Sequence, residues 1–229
     1  MGCRLIPEYL DRHCQIYKRD AVEFLSLLEP ESVQLVWTDP PYGTGDVQKL
    51  DSTVAGTGPL SYKDSSRMEA VELCAAMACS ATRALTPSGV LAICLDYRSI
   101  HDAVVAITKR THLYFGGEII HHFGIGGVSK LWWTNKHNTI ALFHKGDPKF
   151  EYSRVPTTLR KAPRGTYQSA MRNVNSVWDY TMGSSDSERT GYPNQKPMAI
   201  ISPFIEVHTD PGDVIVDPFC GSGSTMEAA

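Results

Sequence analysis

No apolar stretch in this sequence is long enough to cross a membrane. Runs such as Val90 to Leu95 and Val214 to Val216 fall far below the ~20 residues that a spanning helix requires. Met1 to Glu8 holds no apolar segment of signal-peptide length, so a cytoplasmic protein is expected. Cysteine is scattered: Cys3, Cys14, Cys74, Cys79, Cys94 and Cys220 form no C-x-x-C pair and have no His partners at zinc-finger spacing. Reduced thiols and no metal site follow from that pattern. Internal repeats and low-complexity tracts are also lacking, which excludes solenoids and arrays. What remains is an ordinary globular composition, 42% hydrophobic and 21% charged over 229 residues. That suits one domain, or one domain with a sizeable insertion, and a packed core.

The formal net charge of −3 conceals an asymmetry. Between Lys109 and Arg172 eleven basic side chains face three acidic ones, a local +8 that leaves −11 for the rest of the chain. A basic segment in an acidic protein is an electrostatic footprint for a polyanion, and a solvated loop-rich surface is the plainer alternative.

Periodicity yields alternating elements. Cys14 to Lys18 reads as a strand, Ala21 to Leu28 as a helix, and Val33 to Trp37 as a β-rich run that stops at Asp39-Pro40-Pro41-Tyr42. Two prolines cannot continue a central ladder, so a carboxylate sits where that strand ends. Gly43 to Leu60, rich in Gly, Ser, Thr and Asp, is expected to be a mobile loop. Ser66 to Leu85 is a helix with Ser65 or Ser66 as cap, ended by Pro87-Ser88-Gly89. Val90 to Leu95 is apolar throughout, as in a strand covered on both faces. Ile100 to Arg110 is helical, Ile119-Ile120 and Thr139 to Phe143 are strands, Pro197 to Val207 is a helix, and Asp213 to Asp217 is a strand. The spacing predicts a parallel α/β sheet.

Two motifs carry chemistry. An amine on an aromatic ring is a poor nucleophile, because its lone pair is delocalised. A site that alkylates it must accept both N–H hydrogens. The Asp39 carboxylate can take one, the Pro40 carbonyl, aimed by Pro41, can take the other, and Tyr42 can stack on the ring, a contact worth ~1–3 kcal/mol. A plain strand-ending turn is the structural alternative. The second motif is Val214 to Thr225, a strand feeding a Gly-rich turn that opens a helix. Gly221 and Gly223 let backbone approach a ligand closely. Exposed N–H groups with Ser222, Ser224 and Thr225 suit a carboxylate, and Asp217 suits an ammonium, so a zwitterionic amino-acid end fits. A phosphate loop would need Gly-Lys-Ser/Thr, which is absent.

Asp39-Pro40-Pro41-Tyr42 early, Asp217-Pro218-Phe219-Cys220-Gly221-Ser222-Gly223-Ser224 late, and Tyr192-Pro193-Asn194-Gln195-Lys196-Pro197 just before it resemble the S-adenosylmethionine-dependent DNA amino-methyltransferases in their β-type motif order, over nearly the whole chain. The resemblance implies a Rossmann-like methyltransferase sheet, mostly parallel with one antiparallel strand. It divides the chain into a catalytic half (1–110), a basic target-recognition insertion (111–190) and a cofactor-binding half (191–229). It implies S-adenosyl-L-methionine as cofactor. Asp217, Pro218, Phe219, Gly221, Ser222, Gly223, Ser224, Thr225, Gln195 and Lys196 would lie around it, with Lys196 by its methionine end, and Asp20 of Arg19-Asp20 would lie near its adenine. Double-stranded DNA is the implied partner, with a second copy of the chain as a further candidate.

Two departures stand out. Tyr192 replaces the family's usual His, and the sequence stops before the family's next helix and acid-ended strand. The C-terminal part of the sheet is therefore expected to be truncated and cofactor affinity to be lowered. Lys136, Arg154, Arg160, Lys161, Arg164 and Arg172 are the candidate DNA contacts. Trp132 and Trp133 fit DNA contact or core packing equally. His121 and His122 adjoin with no third ligand, which favours packing over metal. The target base must leave the duplex to be reached. Adenine N6 is favoured over cytosine N4 because the family's cytosine enzymes more often carry Ser where Asp39 stands. A non-catalytic DNA-binding or partner subunit with a decayed cofactor site is the rival reading.

Overall fold

The computed structural model describes residues 5–44, 47–49, 61–63, 65–123, 133–156, 175–180, 187–192 and 194–229. In chain order the elements are β1 (Tyr9–Leu10), β2 (Gln15–Ile16), α1 (Ala21–Leu27), β3 (Val33–Thr38), β4 (Val47–Lys49), β5 (Ser61–Lys63), α2 (Arg67–Ala84), β6 (Leu85–Leu95), α3 (Ile100–Arg110), β7 (Tyr114–His122), β8 (His137–His144), a 3₁₀ turn (Tyr152–Arg154), β9 (Val177–Asp179), α4 (Met198–His208), β10 (Ile215–Val216) and α5 (Ser224–Ala228).

The main sheet runs β10-β3-β6-β8-β7-β9. β10, β3 and β6 are parallel, β8 is antiparallel to both its neighbours, and β9 is parallel to β7. One reversed strand in an otherwise co-directed sheet is what the resemblance implied. β10 is the edge of the sheet among the described residues, and β3 lies between it and β6. The chain thus builds outward from β3 through β6 and returns to β3's other side. That makes the β10/β3 boundary a topological switch point, where α/β sheets open a crevice beyond their carboxyl ends.

The apolar pattern of β6 explains the layering. Leu91, Ile93 and Leu95 pack with α1, α2 and α3 on one face. Val90, Ala92 and Cys94 pack with Leu35, Trp37 and the α4 residues Ile200, Ile201, Phe204 and Ile205 on the other. With both faces covered, apolar residues at every position are retained rather than alternating. Ser66 caps α2 in a capping box, its hydroxyl accepting from Glu69 N while Glu69 accepts from Ser66 N.

Three expectations need correction. The strand expected at Cys14 to Lys18 shrinks to Gln15–Ile16 and pairs with β1 in a hairpin apart from the main sheet, because only two of its residues find a partner edge. Pro87-Ser88-Gly89 does not separate α2 from a later strand. β6 begins directly at Leu85, and its register against β3 jumps between Val33 and Leu35. Buried Gln34 fills that irregularity. Its amide nitrogen donates to the Ser88 and His208 carbonyls, and its oxygen accepts from the Thr86 and Ser88 hydroxyls. Finally, segment 111–190 is not wholly an insertion, since β7, β8 and β9 all belong to the main sheet. The β7 pattern hid this, because its first three residues are exposed and give no core-facing alternation. Of the expected loop 43–60, residues 45–46 and 50–60 lie outside the described residues. No helix among the described residues is long and apolar enough to cross a membrane.

Candidate active site at the carboxyl rim

Three parallel strands end on an aspartate: Asp217 after β10, Asp39 after β3 and Asp96 after β6. Val216 pairs with Val36, so Asp217 and Asp39 emerge at the same end of adjacent strands. They are close enough that Asp39 helps raise the Asp217 carboxyl.

Asp39 is held on both oxygens. The Tyr42 hydroxyl donates to Oδ1 at 2.7 Å, and the Lys196 ammonium donates to Oδ2 at 2.5 Å. The Asp39 and Lys196 side chains are only 22% and 11% exposed, so this ion pair is screened far less than a surface pair. The same ammonium lies 5.1 Å from the centre of the Tyr42 ring, within cation–π range. Tyr42 is anchored a second time by Ser99, whose hydroxyl donates to the Tyr42 carbonyl at 2.7 Å. A third contact joins its own hydroxyl to Cys94 Sγ at 3.3 Å. Burial and then the Asp39 charge push the Tyr42 phenol well above its usual range. Burial likewise pushes the Cys94 thiol up to about 12. Both therefore stay protonated at neutral pH, and Tyr42 acts as a donor to Asp39. Pro40 is buried and Pro41 half-buried.

Asp217 is fixed by the turn that follows it. Phe219 N donates to Oδ1 at 3.0 Å and the Thr225 hydroxyl donates to Oδ2 at 2.5 Å. Burial, more than those bonds offset, raises its carboxyl to about 6. Gly221 and Gly223 both take positive φ, +48° and +87°. A Cβ on Gly221 would press on the Tyr192 ring at 3.3 Å. Ser222 and Ser224 hydroxyls share a bond at 2.9 Å. Pro218 and Phe219 are half-buried, and Phe219 packs on the α1–α3 core.

Gln195 braces the loop that carries Lys196. Its oxygen accepts from Thr190 N and Oγ1, and its nitrogen donates to the Glu188 carbonyl. Glu188 in turn accepts from Met198 N at the start of α4. The amide of Gln195 is therefore engaged within its own loop. Asp20 is the N-cap of α1, its Oδ1 accepting from Val22 N and Glu23 N. The Cys14 thiol, between β1 and β2, contacts Met226 of α5, which brings the β1–β2 hairpin to the helix after the Gly-rich turn. Asp96 holds the turn before α3, accepting from Arg98 N and Ser99 N and pairing with Arg98.

The DNA candidates divide. Arg160, Lys161, Arg164 and Arg172, and with them Trp132, lie outside the described residues. Lys136 precedes β8, whose reversed direction puts it at the carboxyl rim; its carbonyl accepts from Phe123 N. Trp133 nearby is 86% exposed. Arg154 is a correction: it sits at the opposite rim, donating to the Thr209 carbonyl and pairing with Asp210 at 2.9 Å. The same holds for other cations of the basic segment, since Lys145 pairs with Glu31, Lys149 with Asp210 and Asp213, and Arg110 with Glu72. Acids from the remainder of the chain thus neutralise four of the segment's described cations. His122 pairs with Asp179 at 2.7 Å, and buried His121 meets the Tyr180 carbonyl at 2.9 Å. Sequence reasoning missed Ser99, Cys94 and Glu188. Each acts through one contact with a motif residue, and no spacing signal marks such a contact.

A family model described as DNA methylase, for the N6/N4 methyltransferases, matches residues 33–229. The type II methyltransferase M.HpaI of Haemophilus parainfluenzae is 27% identical over 211 residues, covering 90% of this chain. The chain spans 63% of that relative's length. The solved PvuII DNA methyltransferase, cytosine-N4-specific, superposes with a TM-score of 0.75 at 18% identity, covering 97% of this chain and 80% of that one. M1.HpyAVI, solved as a complex with SAM, gives a TM-score of 0.54 at 19% identity over 93% of this chain and 86% of that one. These two matches are likenesses of fold.

Proposed function

The chain belongs to the N6/N4 DNA methylase family, and on that premise we propose that it transfers a methyl group from S-adenosyl-L-methionine to an exocyclic amine of a base in double-stranded DNA, adenine N6 in the first place. The observation that carries this reading is the emergence of Asp39 and Asp217 at the same end of paired parallel strands. The residues fit the cofactor's amino-acid end: Asp217 is a half-buried carboxyl, oriented by Thr225 and Phe219 N, that an ammonium would charge-balance. Bound there, S-adenosylmethionine supplies a methyl group already activated on a sulfonium, so no covalent enzyme adduct is needed.

The chain's own work is to present the amine. Asp39 accepts one N–H and the Pro40 carbonyl the other, which draws the lone pair out of the ring and towards the methyl group. Tyr42, held by Ser99 and Cys94, offers a fixed aromatic edge beside Asp39. The reaction replaces one N–H by N–CH₃ and releases a proton, which Asp39 is placed to receive. A duplex base reaches this rim only by leaving the stack, and Lys136 stands at the same rim for backbone phosphate.

The test is tritium transfer from labelled cofactor to unmethylated double-stranded DNA and to RNA, followed by nucleoside analysis. N6-methyladenine in DNA is expected. N4-methylcytosine would overturn the choice of base, and label confined to RNA would overturn the DNA substrate.

A further inference from the structure

The acceptor that must meet the target amine already holds a cation. Lys196 Nζ donates to Asp39 Oδ2 at 2.5 Å and lies over the Tyr42 ring at 5.1 Å. It does so from a side chain that is almost buried. Its loop is stiffened by the Gln195 contacts to Thr190 and Glu188 and runs straight into α4. The ammonium is therefore placed by design of the loop rather than by chance contact on a surface. A carboxylate has about four lone-pair sites, so Lys196 does not exhaust Asp39 as an acceptor. What it fixes is the charge. With Lys196 closed on it, Asp39 is compensated, and a second positive charge arriving at the strand ends meets repulsion from the first. At a separation of a few ångströms in a partly buried site, like charges repel strongly.

We infer that Lys196 is the resting counter-ion of Asp39 and a positioning residue, which opens when a cationic ligand occupies the strand ends and closes again on a neutral one. The inference rests on the methyltransferase reading above and deepens it. Methyl transfer breaks the C–S bond and forms a C–N bond. The sulfonium becomes a neutral thioether, and the positive charge departs as the amine's proton, which Asp39 receives and passes on to solvent, becoming a carboxylate again. The site is thus cationic before the reaction and neutral after it. A counter-ion that returns to Asp39 once the sulfonium charge is gone favours release of the methylated base from its acceptor.

The experiment needs no knowledge of the DNA sequence recognised. Calorimetry on the full chain compares S-adenosylmethionine with S-adenosylhomocysteine, which share adenine, ribose, ammonium and carboxylate and differ in the sulfonium charge. Lys196→Met is expected to improve the sulfonium ligand relative to the thioether by roughly tenfold, and Lys196→Arg to keep the wild-type ratio. Because the readout is a ratio within one protein, partial unfolding of a variant cancels. A parallel equal loss of both ligands in Lys196→Met would overturn the inference, since Lys196 would then serve a group common to the two, such as the carboxylate, while the methyltransferase reading stands. An unchanged ratio overturns it as well. Failure of wild-type protein to bind either ligand would remove both the inference and the reading beneath it.

Discussion

Asp217 is half-buried at the end of β10 with Asp39 nearby, and desolvation raises its carboxyl to about 6. A raised acid binds its proton more tightly in the folded state than in the unfolded one. Its contribution to stability is therefore full below about pH 4 and is lost as pH climbs through about 6. A ligand ammonium needs the ionised form, so the cofactor's affinity is expected to rise between pH 5 and 7. Asp217→Asn should flatten that rise and weaken binding at pH 7; a variant that keeps the wild-type pH dependence in calorimetry would contradict the assignment. The placement of Asp39, Tyr42 and Asp217 just beyond strand ends was legible in the sequence, because prolines and glycines mark those ends. The partners that tune them were not: Lys196 on Asp39, Ser99 on the Tyr42 carbonyl and Thr225 on Asp217 are contacts across as many as 157 positions. Lys196 was anticipated only through resemblance, and at a different group.

At the scale of elements, periodicity located α1, α2, α3, α4, β3 and β8 to within a few residues, because each carries an uninterrupted apolar face. It misjudged β6, where Thr86 to Gly89 read as a break and instead form an irregularity seated on Gln34. Gln34 has both amide atoms satisfied at 5% exposure, and it joins β3, β6 and the end of α4. Gln34→Ala strands the buried His208 carbonyl and, in a partly buried setting, the Thr86 hydroxyl and the Ser88 carbonyl. Such a change costs about 1–3 kcal/mol for each group left without a partner. Urea denaturation should show a lower midpoint with an unchanged slope; a midpoint equal to wild type would show that water takes over those bonds. β7 was read only at Ile119-Ile120, because its first three residues are exposed and give no core-facing alternation. β9 has three residues, and only pairing with β7 defines it.

For the whole molecule, the order of motifs was the strongest signal. It required β10, formed late, to lie against β3, formed early, and the parallel register Ile215–Leu35 and Val216–Val36 is that arrangement. Net charge was the weakest. Among the described residues, Arg110, Lys145, Lys149 and Arg154 of the basic segment meet counter-charges within the fold, the last two on Asp210, so these four cations add little to a basic surface. The central claim is that one crevice between two strand ends does two separable jobs, with Asp217 holding the methyl donor and Asp39 presenting the amine. Equilibrium dialysis with labelled S-adenosylmethionine, run beside methyl transfer to DNA on Asp39→Ala and Asp217→Ala, tests it most directly. The account predicts that Asp39→Ala, which leaves the Lys196 ammonium unpaired, loses less than about tenfold in cofactor affinity while transfer falls by about 10²–10³-fold, and that Asp217→Ala loses about 10- to 100-fold in cofactor affinity. Loss of cofactor binding in Asp39→Ala equal to that in Asp217→Ala would contradict it.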